Sequence, residues 1–282
     1  MKETLKKLRE ALEPMYGKGE SDAIIRLIFH YVKGWNLTDM LIHREDELSP
    51  FVKGEIEKIL KRLEAWEPIQ YITGEARFYG MELDVKPGVL IPRQETEELV
   101  DLIIDENKGK DDLRVLDLCT GSGCIAIALA RNLPFSKVTA LDISETAVEI
   151  AKENAKKLRT RVEIREGDIM GEDWLRGEEM WDIIVSNPPY VMDREALTME
   201  RNVLDYEPHE ALFVRDEDPL VFYRRIGEIA IKRLRKGGRL YFEINPLKAL
   251  ELKEMIERMG FEDVRLIRDS FGNERFLSCV KN

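Results

Sequence analysis

Histidine, cysteine and glutamine are scarce in this chain of 282 residues, which contains three histidines and three cysteines. The cysteines are Cys119, Cys124 and Cys279. Their odd number and the lack of CxxC spacing exclude a disulfide framework, so we expect reduced thiols and no bound metal. Glutamine occurs only at Gln70 and Gln94, while charged residues make up 35% of the chain. This composition is typical of thermophile proteins.

Long apolar segments are also missing. No uninterrupted run approaches the ~18 residues that indicate a transmembrane helix, and the first residues, Met1–Thr4, contain no apolar signal core. We therefore expect a cytoplasmic protein with no membrane partner. The net charge of −11 argues against broad, sequence-independent binding to nucleic acid, which needs clustered basic residues. The basic cluster at residues 232–239 is better explained as a solvated helix end.

The succession of helical and strand patterns predicts two domains joined by a linker. Residues 1–74 carry apolar residues at helical spacing and are expected to form a small helical bundle. Residues 75–92 contain two alternating segments around Gly80, which predicts a β-hairpin linker. Residues 93–282 are expected to form the catalytic domain. Helix starts in the bundle are predicted at Ser21-Asp22, Thr38-Asp39 and Ser49-Pro50.

Strands and helices alternate from Arg114 onward. Strands are predicted at residues 114–118, 138–142, 161–166, 181–186, 239–244, 264–268 and 275–280. Helices are predicted at residues 124–132, 144–158, 220–235 and 247–259, the third ended by Gly237-Gly238. This order indicates an α/β fold with a Rossmann-like, seven-stranded, mostly parallel sheet covered on both faces. The last two strands have no helix between them and should form an antiparallel C-terminal hairpin.

A glycine loop follows the first of these strands and opens the next helix. The glycines allow the backbone to approach a ligand closely. Carboxylates at the ends of the following strands can accept hydrogen bonds from ribose hydroxyls and from an adenine amino group. The predicted cofactor-binding residues are Asp117, Thr120, Gly121, Ser122, Gly123, Asp142, Asp168 and Asn187. Helix capping or simple solvation is the alternative explanation for each acid taken alone.

The loop favours S-adenosylmethionine over a dinucleotide as the cofactor. It lacks the complete GxGxxG order, because Ala126 stands three residues after Gly123, and it has no GK[ST] that would indicate a P-loop. Asp117 precedes the glycines, where it can accept a hydrogen bond from an ammonium group. S-adenosylmethionine has such a group and NAD does not. A dinucleotide is the alternative that the loop leaves open.

The tetrapeptide Asn187-Pro188-Pro189-Tyr190 follows the buried strand at 181–186. Two prolines end the strand and fix the turn, because neither has an N–H and both have a fixed φ. The turn presents an amide, a free backbone carbonyl and an aromatic ring at an edge where ligands bind in α/β sheets. These groups suit a planar NH2 group, so we assign Asn187, Pro188, Pro189 and Tyr190 to catalysis. A surface loop with a packed tyrosine is the alternative.

Together, the glycine loop, Asp142 and the Asn-Pro-Pro-Tyr turn resemble class I methyltransferases that act on a planar nitrogen. Further segments sharpen the resemblance to the release-factor glutamine methyltransferase family, also called HemK or PrmC. These segments are Arg77-Phe78-Tyr79-Gly80, Ile91-Pro92-Arg93-Gln94-Glu95-Thr96-Glu97 and Tyr206-Glu207-Pro208 with Glu210-Ala211-Leu212. The chain departs from the family at Gln94-Glu95, where the family more often has Pro-Asp. The similarity runs from about Trp66 to the C-terminus.

The resemblance implies a reaction and a substrate. A methyl group of S-adenosylmethionine would pass to the glutamine side-chain nitrogen (N5) in the Gly-Gly-Gln loop of class I peptide-chain release factors. The helical domain would contact the release factor. We expect the Asn187 oxygen and the Pro188 carbonyl to accept the two amide N–H groups, while Tyr190 stacks on the amide plane. We also expect a monomer with no stable nucleic-acid partner.

Two other functions stay open at the level of sequence. An adenine-N6 nucleic-acid methyltransferase can use the same turn to hold an exocyclic amino group, with Tyr190 stacked on the base. The net charge of −11 counts against it. A non-catalytic binding module is the second alternative, and the intact glycine loop and Asn187 count against that.

Overall fold

The computed structural model describes residues 1–171, 173–175 and 177–282. The chain divides into two compact units. The first consists of Met1–Gly74 and Glu200–Tyr206, and the second of Glu75–Met199 and Glu207–Asn282. The hairpin that the sequence predicts as a linker therefore groups with the second unit. Across the described parts of the chain, no helix combines the length and apolar character that a membrane span requires.

The first unit is helical, as predicted. Its helices are α1 (Lys2–Lys33), α2 (Leu37–Ile42), α3 (Pro50–Glu64) and α4 (Ile69–Thr73). The helix α1 is broken at Gly17, whose φ of 73° is open to glycine at little steric cost. Apolar residues at helical spacing on α1 and α3 form one buried core, which includes Leu8, Leu12, Ile25, Ile28, Ile56, Leu60 and Leu63.

Helix starts in this unit follow local capping chemistry. The Asn36 side chain accepts the backbone N–H groups of Thr38 and Asp39 at 2.8 and 3.1 Å, so α2 begins at Leu37, one residue before the predicted start. Ser49 caps α3 through the N–H of Val52 at 3.3 Å, as predicted. The predicted start at Ser21 is wrong. Its hydroxyl donates to the Gly17 carbonyl at 2.6 Å, because the helix is already running there.

The second unit opens with the predicted hairpin and contains the large sheet. The hairpin strands β1 (Glu75–Phe78) and β2 (Met81–Asp84) are joined by Tyr79 and Gly80, both with positive φ. The sheet strands are β3 (Arg114–Leu118), β4 (Lys137–Asp142), β5 (Val162–Glu166), β6 (Trp181–Ser186), β9 (Leu234–Glu243), β10 (Phe261–Arg268) and β11 (Glu274–Lys281). The short strands β7 (Val191–Met192) and β8 (Phe213–Val214) pair with each other.

Helices alternate with these strands. They are α5 (Gln94–Glu106), α6 (Cys124–Asn132), α7 (Glu145–Lys157), α9 (His209–Leu212), α10 (Val221–Arg233) and α11 (Ala249–Arg258). The short helix α8 (Arg201–Leu204) belongs to the first unit. Short 3-10 helices occur at Asp193–Thr198 and Pro246–Lys248.

The sheet has seven strands in the order β10-β11-β9-β6-β3-β4-β5. The strands β9, β6, β3, β4 and β5 are parallel, whereas β11 is antiparallel to both β9 and β10. This arrangement confirms the predicted fold class. The chain moves to one side from β3 to β5 and to the other side from β6, so the order reverses between β3 and β6. Ligands in open α/β sheets bind at the carboxyl ends of the strands at such a reversal.

The end of α10 differs from the sequence prediction. The predicted helix runs to Arg235, but α10 ends at Arg233 and β9 begins at Leu234, which pairs with Trp181 of β6. The next pair is Ile183 with Arg239, so β9 carries a bulge across its glycine pair. A side chain at Gly238 would lie 2.9 Å from the Arg235 carbonyl oxygen. The glycines therefore allow a strand bulge and do not end a helix.

Candidate active site

A cavity of about 250 Å³ lies in the second unit, where loops leave the carboxyl ends of the central strands. The predicted site residues that line it are Thr120, Gly121, Ser122, Asp142, Asp168, Asn187 and Pro189. The loop between β2 and α5 and the segment around α9 supply other parts of its wall. Asp117, Gly123, Pro188 and Tyr190 are not among the residues that line it. The structure thus brings the glycine loop and the Asn-Pro-Pro-Tyr turn to one cavity.

Two glycines shape the loop after β3. Gly121 has a φ of 55°, and a Cβ built there meets no atom within 4 Å, so this part of the backbone faces open space in the cavity. Gly123 has a φ of 81°, and a Cβ there would lie 3.1 Å from the Cβ of Ala151. The first glycine therefore leaves room for a ligand, and the second allows α6 to pack closely on α7.

Asp117 supports the glycine loop from behind. Its carboxylate is fully buried, and one oxygen accepts from the Thr120 hydroxyl at 2.6 Å and from the Ala126 N–H at 3.1 Å. The other oxygen, Oδ1, is buried and has no hydrogen-bond partner among the described residues. Burial raises the pKa of Asp117 to about 7, although the two donors oppose this shift.

Asp142 and Asp168 lie on the wall of the cavity after β4 and β5. Asp142 accepts the Gly121 N–H at 2.8 Å through Oδ2 and the Ser144 N–H at 3.0 Å through Oδ1. Burial raises the pKa of Asp142, and these backbone donors lower it. Asp168 is exposed and accepts the Met170 N–H at 2.8 Å. Each oxygen of Asp142 keeps a lone pair that can accept a further hydrogen bond.

The glycine loop and the acids beside it have features that fit S-adenosylmethionine. The ligand is cationic at its sulfur and its amino group, and Asp142 and Asp168 place carboxylates on the wall. Gly121 provides backbone space that a side chain would fill. The unpartnered Oδ1 of Asp117 is an acceptor of the kind that an ammonium group satisfies. The residues that would hold the cofactor are therefore those of the glycine loop and the acids that follow β4 and β5.

The Asn-Pro-Pro-Tyr turn is fixed through the three polar groups of Tyr190. Its N–H donates to the Leu212 carbonyl at 3.2 Å, and its carbonyl accepts from the Asn245 side chain at 3.0 Å. Its hydroxyl donates to Glu243 Oε1 at 3.1 Å. Asn187 is half-buried, and its Nδ2 lies 3.5 Å from the Thr96 hydroxyl. The turn is therefore held by three segments: the end of β9 at Glu243, the residues after β9 at Asn245, and the residue before β8, Leu212.

Glu243 is a site residue that the sequence did not reveal. It ends β9 with 1% of its surface exposed, and its Oε2 accepts the Thr96 hydroxyl at 2.6 Å. Burial raises the pKa of Glu243, and the hydroxyl donors Thr96 and Tyr190 lower it. A buried acid at the end of a predicted strand is the signal that could have identified it, since such an acid needs polar partners nearby.

Asn154 is the second residue that sequence reasoning missed. It is fully buried on α7, where its amide donates to the carbonyls of Asp84 and Ser122, both at 3.0 Å. It also accepts the Asp84 N–H at 2.7 Å. Asn154 therefore ties the hairpin strand β2 to the glycine loop. An asparagine in the last turn of an otherwise amphipathic helix was the available signal.

The rim of the cavity joins two segments that the resemblance singled out. Glu207 is buried and accepts from the Arg93 guanidinium at 2.6 Å and from the Ile91 N–H at 3.0 Å. Arg93 and Pro208 both line the cavity. The Ile-Pro-Arg and Glu-Pro segments, more than a hundred positions apart in sequence, thus form one wall. The ion pair holds that wall together.

Comparisons with known proteins agree with this geometry. The profile of the PrmC N-terminal domain matches residues 3–74, and that of the methyltransferase small domain matches residues 94–205. A methyltransferase structure from Pyrococcus furiosus superimposes with a TM-score of 0.52 at 19% identity, covering 72% of this chain and 90% of that one, which supports the fold.

Two curated relatives are similar over nearly their whole length. The release factor glutamine methyltransferase of Bacteroides thetaiotaomicron is 49% identical over 272 residues, which is 96% of this chain and 97% of that protein. The enzyme of the same name from Flavobacterium psychrophilum is 40% identical over 271 residues, covering 95% of this chain and 94% of its own. With the cavity, the glycine loop and the Asn-Pro-Pro-Tyr turn in place, the chain belongs to the release factor glutamine methyltransferase family.

Proposed function

We propose that this chain methylates the side-chain nitrogen of the glutamine in the Gly-Gly-Gln loop of class I peptide-chain release factors. S-adenosylmethionine is the methyl donor of the family. The observation that carries the proposal is the shared cavity. The glycine loop with Asp142 occupies one side of it, and Asn187 and Pro189 occupy the other. A methyl donor held by the first group would lie next to a planar amide held by the second.

The chemical difficulty is the low nucleophilicity of an amide nitrogen, whose lone pair is delocalised into its carbonyl. S-adenosylmethionine, when bound, supplies a methyl group attached to a positively charged sulfur. Asn187 lines the cavity, and its side-chain oxygen would accept one N–H of the substrate amide. The carbonyl of Pro188, which stands between the lining residues Asn187 and Pro189, would accept the other. Two acceptors fix the rotation of the amide and raise the electron density on its nitrogen. They also stabilise the positive charge that develops on that nitrogen.

The rigidity of the turn supports this role. Both prolines have a fixed φ, and three hydrogen bonds hold Tyr190. Acceptors that are already in position need no reorganisation when charge develops, which is the basis of electrostatic preorganisation. As the N–C bond forms, the bond from the methyl carbon to sulfur breaks and its electron pair stays on sulfur, which becomes a neutral thioether. The nitrogen then loses its extra proton to water, so the turn requires no strong base.

The helical unit is proposed to contact the release factor. The match of residues 3–74 to the PrmC N-terminal domain supports a common role with the relatives. We also propose that the chain acts as a monomer. Light scattering of the protein alone and mixed with a release factor tests both proposals, since a mass of two chains in the free protein contradicts the second.

Transfer of labelled methyl groups tests the proposed reaction. Wild-type protein and labelled S-adenosylmethionine are incubated with a release factor, with a release factor whose loop glutamine is replaced, and with duplex DNA. Label in the first sample alone supports glutamine methylation. Label in the DNA alone would mean that the turn holds an adenine amino group, and the proposal would be wrong.

Asn187→Ala tests the role of the turn. We expect a loss of roughly 10²–10³-fold in kcat, because one preorganised partner of a developing charge is removed. The Kd for S-adenosylmethionine, measured by calorimetry, should stay near the wild-type value. Asn132→Ala is the matched control, since Asn132 is exposed on α6 and is not part of the cavity lining. Near-normal turnover of Asn187→Ala would contradict the mechanism.

A further inference from the structure

A line of polar side chains leads from the cavity into the core of the second unit. Asn187 Nδ2 lies 3.5 Å from Thr96 Oγ1, and Thr96 Oγ1 lies 2.6 Å from Glu243 Oε2. Thr96 and Glu243 are 2% and 1% exposed. The three residues come from the turn after β6, the first turn of α5 and the end of β9. Their contact is therefore a product of the tertiary fold.

The position of the Thr96 hydroxyl proton determines which atoms in this line donate hydrogen bonds and which accept them. The short contact with Glu243 uses that proton, because Thr96 Oγ1 donates to Glu243 Oε2. Glu243 accepts a second hydrogen bond, from the Tyr190 hydroxyl, at 3.1 Å. Thr96 then has only lone pairs to offer Asn187, and the NH2 end of the Asn187 amide turns toward it. The opposite end, Oδ1, is left to accept from a donor in the cavity.

We infer that Thr96 and Glu243 are positioning residues that determine which end of the Asn187 amide meets the substrate. The inference rests on the proposed function, because it concerns the same methyl-accepting amide. An Asn187 amide turned by 180° would present its NH2 group to the NH2 group of the substrate, and two donors do not bond. At 3.5 Å the contact with Thr96 is long for a hydrogen bond and adds little stability. The orientation is selected because a flipped amide would place Oδ1 against the lone pairs of Thr96.

A purely structural role for Thr96 predicts different results. Thr96 is buried in the first turn of α5, and loss of its hydroxyl would then lower the melting temperature and weaken cofactor binding together with turnover. A positioning role lowers kcat while the Kd for S-adenosylmethionine and the KM for the release factor change little. The two roles can therefore be distinguished by whether kcat falls alone or together with a weaker Kd for S-adenosylmethionine and a higher KM for the release factor.

The experiment compares Thr96→Val, Thr96→Ser, Asn187→Ala and the double variant Thr96→Val/Asn187→Ala. Valine keeps the shape of threonine without the hydroxyl, so the Asn187 amide loses its fixed position as well as its preferred orientation, and we expect kcat to fall roughly 10- to 100-fold. Serine keeps the hydroxyl and should restore most of that loss. The double variant should be no slower than Asn187→Ala, because Thr96 acts only through Asn187. Calorimetry should give a cofactor Kd within about twofold of wild type for both single Thr96 variants, a difference worth under 1 kcal/mol.

A measurement on the free protein adds a readout independent of turnover. The side-chain NH2 signals of Asn187 can be identified in 15N-asparagine-labelled protein by their loss in Asn187→Ala. We expect these protons to exchange faster with water in Thr96→Val than in wild type. Glu243→Gln provides a second variant should Thr96→Val fail to fold. A glutamine NH2 group facing Thr96 would take its lone pair and redirect the hydroxyl proton, so kcat should fall as well.

The outcomes distinguish this inference from the proposed function. If wild-type protein transfers no label to the release factor, or if Asn187→Ala keeps full turnover, the proposed function or the role of the turn fails. If Asn187→Ala is slow but Thr96→Val turns over within twofold of wild type, only the positioning inference is overturned. The inference is also overturned if the kcat of the double variant falls by the product of the two single losses, because the residues then act independently. A wild-type kcat for a folded Glu243→Gln overturns it as well.

Discussion

Replacement of Asn154 should weaken both the fold of the second unit and its cofactor site. The buried amide makes three hydrogen bonds, at 3.0, 3.0 and 2.7 Å, to Asp84 and Ser122. Each such bond contributes about 1 kcal/mol net. Asn154→Ala should therefore cost about 3 kcal/mol, with a further contribution from the space left behind. For a unit of this size, that corresponds to a fall in Tm of roughly 6–12 °C.

Calorimetric unfolding of Asn154→Ala and of the control Asn132→Ala measures this effect. Asn132 is exposed and makes one hydrogen bond within its own helix, to the Ala128 carbonyl at 2.8 Å, so its Tm should change by about 2 °C or less. The Kd for S-adenosylmethionine should rise in Asn154→Ala alone, since the Ser122 carbonyl then loses its anchor. An equal loss of Tm in both variants would refute the reasoning.

Two further predictions concern the glycine loop. The carboxyl of Asp117 has an ordinary pKa of 3.8, and burial raises it to about 7. Between these two pH values the folded protein keeps the proton on Asp117, whereas the unfolded chain has released it. The free energy of unfolding of the cofactor-free protein should therefore fall as pH rises toward 7, and Asp117→Asn should remove this slope in urea titrations between pH 5 and 8. Gly123→Ala places a Cβ 3.1 Å from that of Ala151 at a φ of 81°, and should destabilise by roughly 2–4 kcal/mol. Gly109→Ala, at a φ of 77° with no atom within 4 Å, should show only the backbone cost of roughly 1–2 kcal/mol in the same urea assay. Equal losses in the two glycine variants, or a pH slope that persists in Asp117→Asn, would contradict these predictions.

Elements with strong boundaries were predictable from the sequence. The strands Arg114–Leu118 and Trp181–Ser186 and the helix Cys124–Asn132 have the predicted limits. In each strand an apolar run meets residues that end a ladder, a glycine loop in one case and two prolines in the other. The end of α10 was not predictable in this way, because Leu234 suits either a helix or a strand. Its pairing with Trp181 decides the matter, and that pairing is a tertiary contact.

The same distinction applies to the site. Asp142, Asp168 and Asn187 follow successive strands, so parallel topology alone predicts that they gather at one edge. The supporting residues bond to distant segments: Asn154 reaches 70 positions to Asp84, and Glu243 reaches 147 positions to Thr96. No local pattern encodes such pairs. Asp117 shows an intermediate case, since its place beside the loop was predicted and its burial behind Thr120 was not.

The anchoring of Tyr190 has a consequence for how this fold can change its substrate. A turn held at its N–H, its carbonyl and its hydroxyl by three separate segments tolerates little alteration, because a change in any one segment shifts all of it. The wall formed by Arg93 and Glu207 depends on one ion pair and one backbone contact. Laboratory selection for a new methyl acceptor should therefore collect its substitutions in that wall and leave the turn unchanged.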